Sequence, residues 1–263
     1  MSAKCFTGPA RLHALLGFLA AWPLSARADW PNDDPTKWVQ YPQITNGLNV
    51  LATQPIVLAD DFLCTTSGPI TDIHIWGSWR QDQIWPAPGF ILSFWSDVPT
   101  NQSNPFSHPG NLLWQTNFFP GTYIVSNWGP TVNEQFFDPV GTNILGPEFN
   151  LVQYNFDVDP TFAFVQQESN VYWLAVTALG FDTNQFLFGW KTSTNHWNDD
   201  AVYLDVDQGV WNELRYPEGH PQEGQSIDLA FALTTVPEPG ALLPPLAVTL
   251  ALLALRRHRR PAS

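Results

Sequence analysis

Cysteine and basic residues are scarce in this chain, and each shortage removes a class of protein. Of the two cysteines, Cys5 lies near the start and Cys64 stands alone in the remainder, so the bulk of the chain has no intrachain disulfide to rely on. Its neighbours Phe62 and Leu63 place Cys64 in a strand that faces a core, and stability must come from burial. Lys and Arg number only 11 against 24 acids, and seven of those 11 sit at the two ends: Lys4, Arg11, Arg27, Arg256, Arg257, Arg259 and Arg260. The stretch 29–235 keeps four basic and 23 acidic residues, a net charge of −19. Such a surface repels phosphate backbones and anionic lipid, which argues against nucleic acid as a partner and leaves divalent cations as the counterions to consider.

Enzyme signatures are missing as well. The chain contains no Gly-x-Ser-x-Gly, no His-Glu-x-x-His and no phosphate-cradling glycine loop. The histidines His74, His108, His196 and His220 are too scattered to suggest a zinc site. These absences point to a non-catalytic protein with no cofactor. They leave one enzymatic alternative, because a glycosidase needs only two carboxylates about 5–10 Å apart, which sequence does not locate. No repeat of fixed period occurs, and no long amphipathic helix is evident.

The two ends read as export and sorting segments. Lys4 and Arg11 form a basic start, Leu12 to Ala21 is mostly apolar, and Ala26-Arg27-Ala28 places small residues at a cleavage site, so 1–28 is expected to be a signal peptide. Its apolar run falls well short of the roughly 20 residues that span a bilayer. At the other end, Val236-Pro237-Glu238-Pro239 precedes an apolar run over 240–255 and a basic tail over 256–263 carrying Arg256, Arg257, Arg259 and Arg260. Sixteen helical residues reach about 24 Å against a hydrocarbon core of about 30 Å, and Pro244 and Pro245 weaken the helix further. A marginal span held by a cytoplasmic basic cluster suits a transient stop.

The triplet Pro237-Glu238-Pro239, the short apolar run and the terminal arginines, in that order, resemble the PEP-CTERM sorting signal. The resemblance implies that signal peptidase and an exosortase process the chain. It also implies transient membrane insertion through 240–255, and a final location in the cell envelope or outside the cell, among extracellular polysaccharide.

Between the ends, short runs with period-two alternation recur, separated by Pro, Gly, Asn and Asp. The spacing predicts strands over Ile56 to Cys64, Ile70 to Trp79, Gly89 to Ser96, Leu112 to Phe118, Leu151 to Val158, Val171 to Val176, Phe186 to Lys191, Ala201 to Asp205 and Ile227 to Leu233. In the second of these, Ile73, Ile75 and Trp79 share a face; in the third, Phe90, Leu92 and Phe94 do. Asp97 to Asn111 and Asp138 to Phe149 read as loops. The expectation is one all-β domain over 29–235, a β-sandwich for which a jelly roll is one available form. The segments Ala59-Asp60-Asp61-Phe62, Pro69 to Trp79, Phe188 to Ser193, His196 to Val202 and Trp211 to Phe231 resemble a domain of uncharacterised exported bacterial proteins, which carries no known activity.

Two groups of residues are candidates for binding. Twelve tryptophans remain after Trp22 leaves with the signal peptide, and Trp76, Trp79, Trp190, Trp197 and Trp211 sit beside polar residues, as a platform for stacking sugar rings does. The competing reading for each is core filling, and the spacing of Trp76 and Trp79 puts at least one of that pair inward. The densest polar run is Asn195-His196-Trp197-Asn198-Asp199-Asp200, followed by Asp205 and Asp207 and then Glu213. Asp199, Asp200, Asp205 and Asp207 are weak candidates for calcium, because Gly209 stands where a calcium loop would place a third acid. Three functions therefore remain open: a structural or glycan-binding surface domain, a carbohydrate-active enzyme, and a calcium-stabilised coat domain.

Overall fold

The computed structural model describes residues 35–85, 88–101, 105–180 and 186–235, the side chain of Asn133 left aside. The expected signal peptide with Ala26 and Ala28 lies outside the described residues, as does the sorting segment with Pro237, Glu238, Pro239, Arg256, Arg257, Arg259 and Arg260. Among the described residues no helix is long and apolar enough to cross a membrane.

Alternating apolar and polar residues form strands almost throughout. In chain order they are β1 (Thr36–Gln40), β2 (Leu48–Leu51), β3 (Ile56–Leu63), β4 (Gly68–Ile70), β5 (Asp72–Trp79), β6 (Gly89–Val98), β7 (His108–Phe118) and β8 (Ile124–Asp138). They continue as β9 (Asn143–Asp157), β10 (Phe164–Gln166), β11 (Val171–Leu179), β12 (Phe188–Lys191), β13 (Val202–Asp205), β14 (Val210–Glu213) and β15 (Phe231–Thr234). Seven strands form one sheet in the order β1-β15-β5-β12-β2-β8-β9, and six form a second in the order β14-β13-β3-β11-β6-β7. The two sheets face each other as a sandwich, with the short β10–β4 pair beside them.

Aromatic rings fill the space between the sheets. Phe62 on β3 meets Phe231 on β15 edge-on at 6.1 Å. Phe90 on β6 touches Tyr154, Phe188 and Phe156 at 4.9, 5.1 and 5.5 Å. Such tilted and edge-to-face contacts add to simple area burial. Ile73, Ile75 and Trp79 do share the face that points into this core. The residue between them, Gly77, allows the close approach: a Cβ there would lie 2.4 Å from the Phe188 ring. Cys64 is buried and free.

The seven-stranded sheet also closes on itself. One edge of β5 pairs with β15 over Asp72–Ile75 and then with β12 over Gly77–Trp79, while the other edge pairs with β9 over Asp72–Gly77. Because β12 pairs with β2, β2 with β8 and β8 with β9, the strands β5, β12, β2, β8 and β9 form a closed ring. The β2–β8 step is parallel, unlike the ladders of an all-antiparallel jelly roll.

Closure explains why every residue of β5 is buried on both faces, including the polar row Asp72, His74, Trp76 and Ser78. Within that row His74 Nδ1 lies 2.7 Å from Asn155 Oδ1 across the β5–β9 ladder and Nε2 lies 2.9 Å from Asp72 Oδ2, while Asp72 Oδ2 accepts from Thr234 Oγ1 at 3.0 Å and Asp72 Oδ1 has no hydrogen bond.

Two expectations are corrected. Asp138 to Phe149 is mostly hairpin rather than loop, with a turn of four residues between β8 and β9. Regular ladder pairing within Ile227 to Leu233 begins only at Phe231, although Ala230 N still donates to Lys191 O at 2.8 Å.

Candidate functional site

The densest polar run of the sequence proves to be a crossover. After β12 the chain leaves the seven-stranded sheet at Lys191 and enters the six-stranded sheet at Val202, and Asn195 to Asp200 lie between. Asn198 adopts a left-handed conformation (φ 60°), which suits asparagine, and its Nδ2 donates to Asp61 Oδ2 at 2.5 Å. Trp197, half-buried, stands edge-on to Trp38 at 5.1 Å. His196 is exposed and places Nδ1 2.8 Å from Asp228 Oδ2 and 3.1 Å from Ser226 Oγ. Both partners meet the same ring nitrogen, so Ser226, His196 and Asp228 do not form a relay in which a base takes a proton from a nucleophile on one nitrogen while an acid orients the other.

Asp199 Oδ2 accepts from Ser107 N, Ser107 Oγ and Thr100 Oγ1 at 2.9, 2.9 and 3.1 Å. Asp200 Oδ1 accepts from Ser226 Oγ. Arg215 Nη2 lies 2.5 Å from Asp200 Oδ2, out of line for a hydrogen bond, and 3.1 Å from Glu213 Oε1. Oxygens of Asp199, Asp200 and Glu213 thus converge within 4.8 Å of one another. Arg215 already supplies a positive charge there, and Asp199 is held by Ser107 and Thr100. The other two calcium candidates are elsewhere: Asp205 caps the β13–β14 turn by accepting from Asp207 N and Gln208 Nε2, at the far end of a hairpin in which Glu213 pairs with Val202. The four aspartates therefore do not form one site. Glu213 joins the first two because an antiparallel hairpin returns it beside the crossover.

Behind the crossover lie three buried carboxyls. Asp60 points into the inter-sheet core and accepts from Leu229 N at 2.6 Å and Asp61 N at 2.9 Å. Asp61 and Asp228 each keep one buried oxygen without a hydrogen bond. Burial, reinforced by their mutual repulsion, pushes Asp60 well above the carboxylate range. Burial also pushes Asp61 up to about 8 against the Asn198 hydrogen bond, and Asp228 up to about 7 against His196.

The tryptophan candidates separate by exposure. Trp76, Trp79 and Trp190 are 0, 2 and 0% exposed, so none offers a ring face to a ligand. Trp79 and Trp190 belong to the inter-sheet core, Trp76 packs on the opposite face, and core filling is the correct reading for all three. Trp197 and Trp211 remain half-buried at the surface. Trp211 gains a partner that the sequence had not suggested: Trp95 on β6 meets it edge-to-face at 6.3 Å, although β13, β3 and β11 separate their own strands. The two indoles lean toward each other over Ala59, Ala175 and the buried Trp173, on the outer face of the six-stranded sheet. Small residues on β3 and β11 leave room for them. A cleft of about 390 Å³ at the same edge of the sheet has walls that include Phe106, Phe137, Tyr203, Asn212, Glu213 and Arg215; neither indole lines it, and Phe137 and Tyr203 pack on the inter-sheet core.

A second acid pair lies in the ring. Glu134 and Glu148 face each other in register on β8 and β9, and Asn49 Nδ2 donates to both, at 2.8 and 2.7 Å. Sharing one donor brings them about as close as the roughly 5 Å of a retaining glycosidase. Both are fully buried, however, and Lys191 Nζ bonds Glu134, so a sugar has no path to them. Burial pushes Glu148 up to about 8, helped by the neighbouring Glu134.

The fold and site define an all-β, two-sheet domain with its polar residues gathered at a crossover and inside a strand ring. Residues 36–234 match the family described as Domain of unknown function (DUF7901), and the chain belongs to that family. No curated protein and no solved structure matches it.

The raised carboxyls fix how stability depends on pH. Asp61, Asp228 and Glu148 hold protons in the folded domain at pH values where unfolded carboxyls, near pH 4, have released them. Stability therefore declines as pH rises from about 4 through about 8. Thermal unfolding followed by circular dichroism is expected to give a midpoint roughly 5 °C or more lower at pH 9 than at pH 5, and Asp61→Asn should shrink that difference. A midpoint that rises over the same interval would contradict the assignment.

Proposed function

We propose that this chain is an exported, exosortase-sorted protein of the cell surface or extracellular matrix, whose β domain binds neutral glycan without catalysis. The observation that carries the binding reading is the pair Trp95 and Trp211, half-buried at the surface over Ala59 and Ala175, with Asn212, Glu213 and Arg215 lining a separate cleft at the end of the Trp211 hairpin. Indole faces stack on the apolar faces of sugar rings, while amide, carboxylate and guanidinium groups bond the hydroxyls. A net charge of −19 over 29–235 disfavours uronate-rich polymers, so uncharged hexose polymers are the class that fits. The family match is consistent with an uncharacterised domain, and the export and sorting reading is supported by Pro237-Glu238-Pro239, the apolar run and the terminal arginines in that order.

One observation favours a second reading. Asp200 and Glu213 form the acid pair beside the open cleft, and burial raises the Glu213 carboxyl, as a general acid requires. Arg215 between them, and the buried position of Asp200, favour binding over hydrolysis.

Titrating neutral polysaccharides while following tryptophan fluorescence tests the binding reading. Saturable quenching is expected, and Trp211→Ala should weaken it by roughly tenfold, the size of one lost stacking contact. No quenching with any neutral polymer would count against binding, and new reducing ends in the same mixtures would replace it with the hydrolytic reading. For sorting, intact mass of the native protein should end near Pro237 in cells with an active exosortase and retain Arg256 to Arg260 in cells without one. A tail present in both would make the C-terminus an ordinary anchor.

A further inference from the structure

The acidic residues of this domain are unevenly spread. From Val98 to Asn133 there is no Asp, Glu, Lys or Arg, 36 residues in succession within a domain of net charge −19. The middle of that stretch is β7, the terminal strand of the six-stranded sheet. Among the described residues no strand pairs with its second edge. Exposed edges are usually guarded by charged side chains; the hairpin at the opposite edge of the same sheet carries Asp205, Asp207 and Glu213, while β7 carries none.

Where the strand meets solvent it carries only uncharged residues, the amides Asn111, Gln115 and Asn117 and the leucines Leu112 and Leu113. Leu112 and Leu113 are 48 and 45% exposed, and Phe162, whose carbonyl accepts from Trp114 Nε1 at 2.7 Å, is 75% exposed. Irregular register between Leu112 and Trp114 makes Leu113 an extra residue in the ladder, and bulges of this kind twist the first half of the edge away from a partner. From Trp114 to Phe118 the register is regular, one residue to one, so the free edge of those five residues presents an ordinary ladder.

We infer that β7 is a self-association face, and that its occupant is the β7 of a second copy of this chain, antiparallel, with Thr116 at the two-fold axis. Two copies of a strongly acidic domain repel each other over most of their surfaces. The charge-free edge is where that repulsion is least, and an antiparallel pair of identical strands is self-complementary without any further protein. Leu113 of each copy then lies across from Phe119 of the other, and these exposed apolar side chains lose water together. This inference goes beyond the glycan reading and does not rest on it.

Light scattering and sedimentation of the purified protein across the micromolar range test it. A concentration-dependent dimer is expected. Leu113→Asp should weaken association by roughly tenfold or more, because it sets a carboxylate against the apolar Phe119 of the second copy, without changing the unfolding midpoint. Val206→Asp, an exposed apolar position on the β13–β14 turn, should leave the dimer intact. Under mild oxidation Thr116→Cys should form a disulfide with itself, since directly opposed residues in an antiparallel pair lie within bridging distance. A monomer at every concentration, a dimer indifferent to Leu113→Asp, or a dimer in which Thr116→Cys fails to cross-link would each overturn the proposal.

Discussion

A lysine ammonium with no exposed atom holds this architecture together. Lys191 on β12 bonds Glu134 on β8, and Asn49 on β2 bridges Glu134 to Glu148 on β9, so four of the five ring strands contribute a side chain to one sealed network. A buried charge is tolerated only when its partners are brought to it, and removing one partner of such a pair costs about 3–5 kcal/mol. Burial lowers the lysine and raises Glu148, which allows the network to rest near neutrality with one carboxyl protonated. The geometric demand of that pairing gives the parallel β2–β8 contact a reason to exist. Without it, β8 would have only β9 as a neighbour and the seven-stranded sheet would be open.

The same logic applies at the crossover, where the solution differs. Asp60, Asp61 and Asp228 have no buried cation, and they remain inside by keeping protons and by accepting from Leu229 N, Asn198 Nδ2 and Trp197 N. Asp199 and Asp200, nearer the surface, are held by backbone and hydroxyl donors and by Arg215. Four basic residues among 23 acids are thus used unevenly: Lys191 and Arg215 each sit at a carboxylate pair, and Lys37 bonds the carbonyls of Thr66 and Ser67. A domain that excess acidity would destabilise keeps several of its acids neutral by burying them.

Strands with clean alternation were legible in the sequence, and β3, β5, β6, β11 and β12 fall close to where the pattern put them, with the expected faces inward. The long β8 was not, because Asn127, Gly129 and Pro130 carry turn chemistry and occur at bulges in its ladder with β9. Trp76, Trp79 and Trp190 show the limit of reading aromatics by their neighbours: polar residues adjacent in sequence point to the opposite face of a strand and say nothing about exposure. The partners of Lys191 were beyond reach for another reason. Glu134 lies 57 residues away, and only the ring brings the two together. Glu213 reached the crossover aspartates through the β13–β14 hairpin, and Trp95 reached Trp211 through sheet order alone.

If the lysine network closes the ring, the β2–β8 seam depends on it more than any other ladder does. Amide hydrogen exchange compared between the native chain and Lys191→Met measures this at Leu48 to Val50 and Gln135 to Phe137. The account predicts that these amides are protected in the native protein and lose protection in the variant well before those of β3, β6 and β11. Protection lost evenly over both sheets, or a seam that exchanges freely in the native protein, would contradict it.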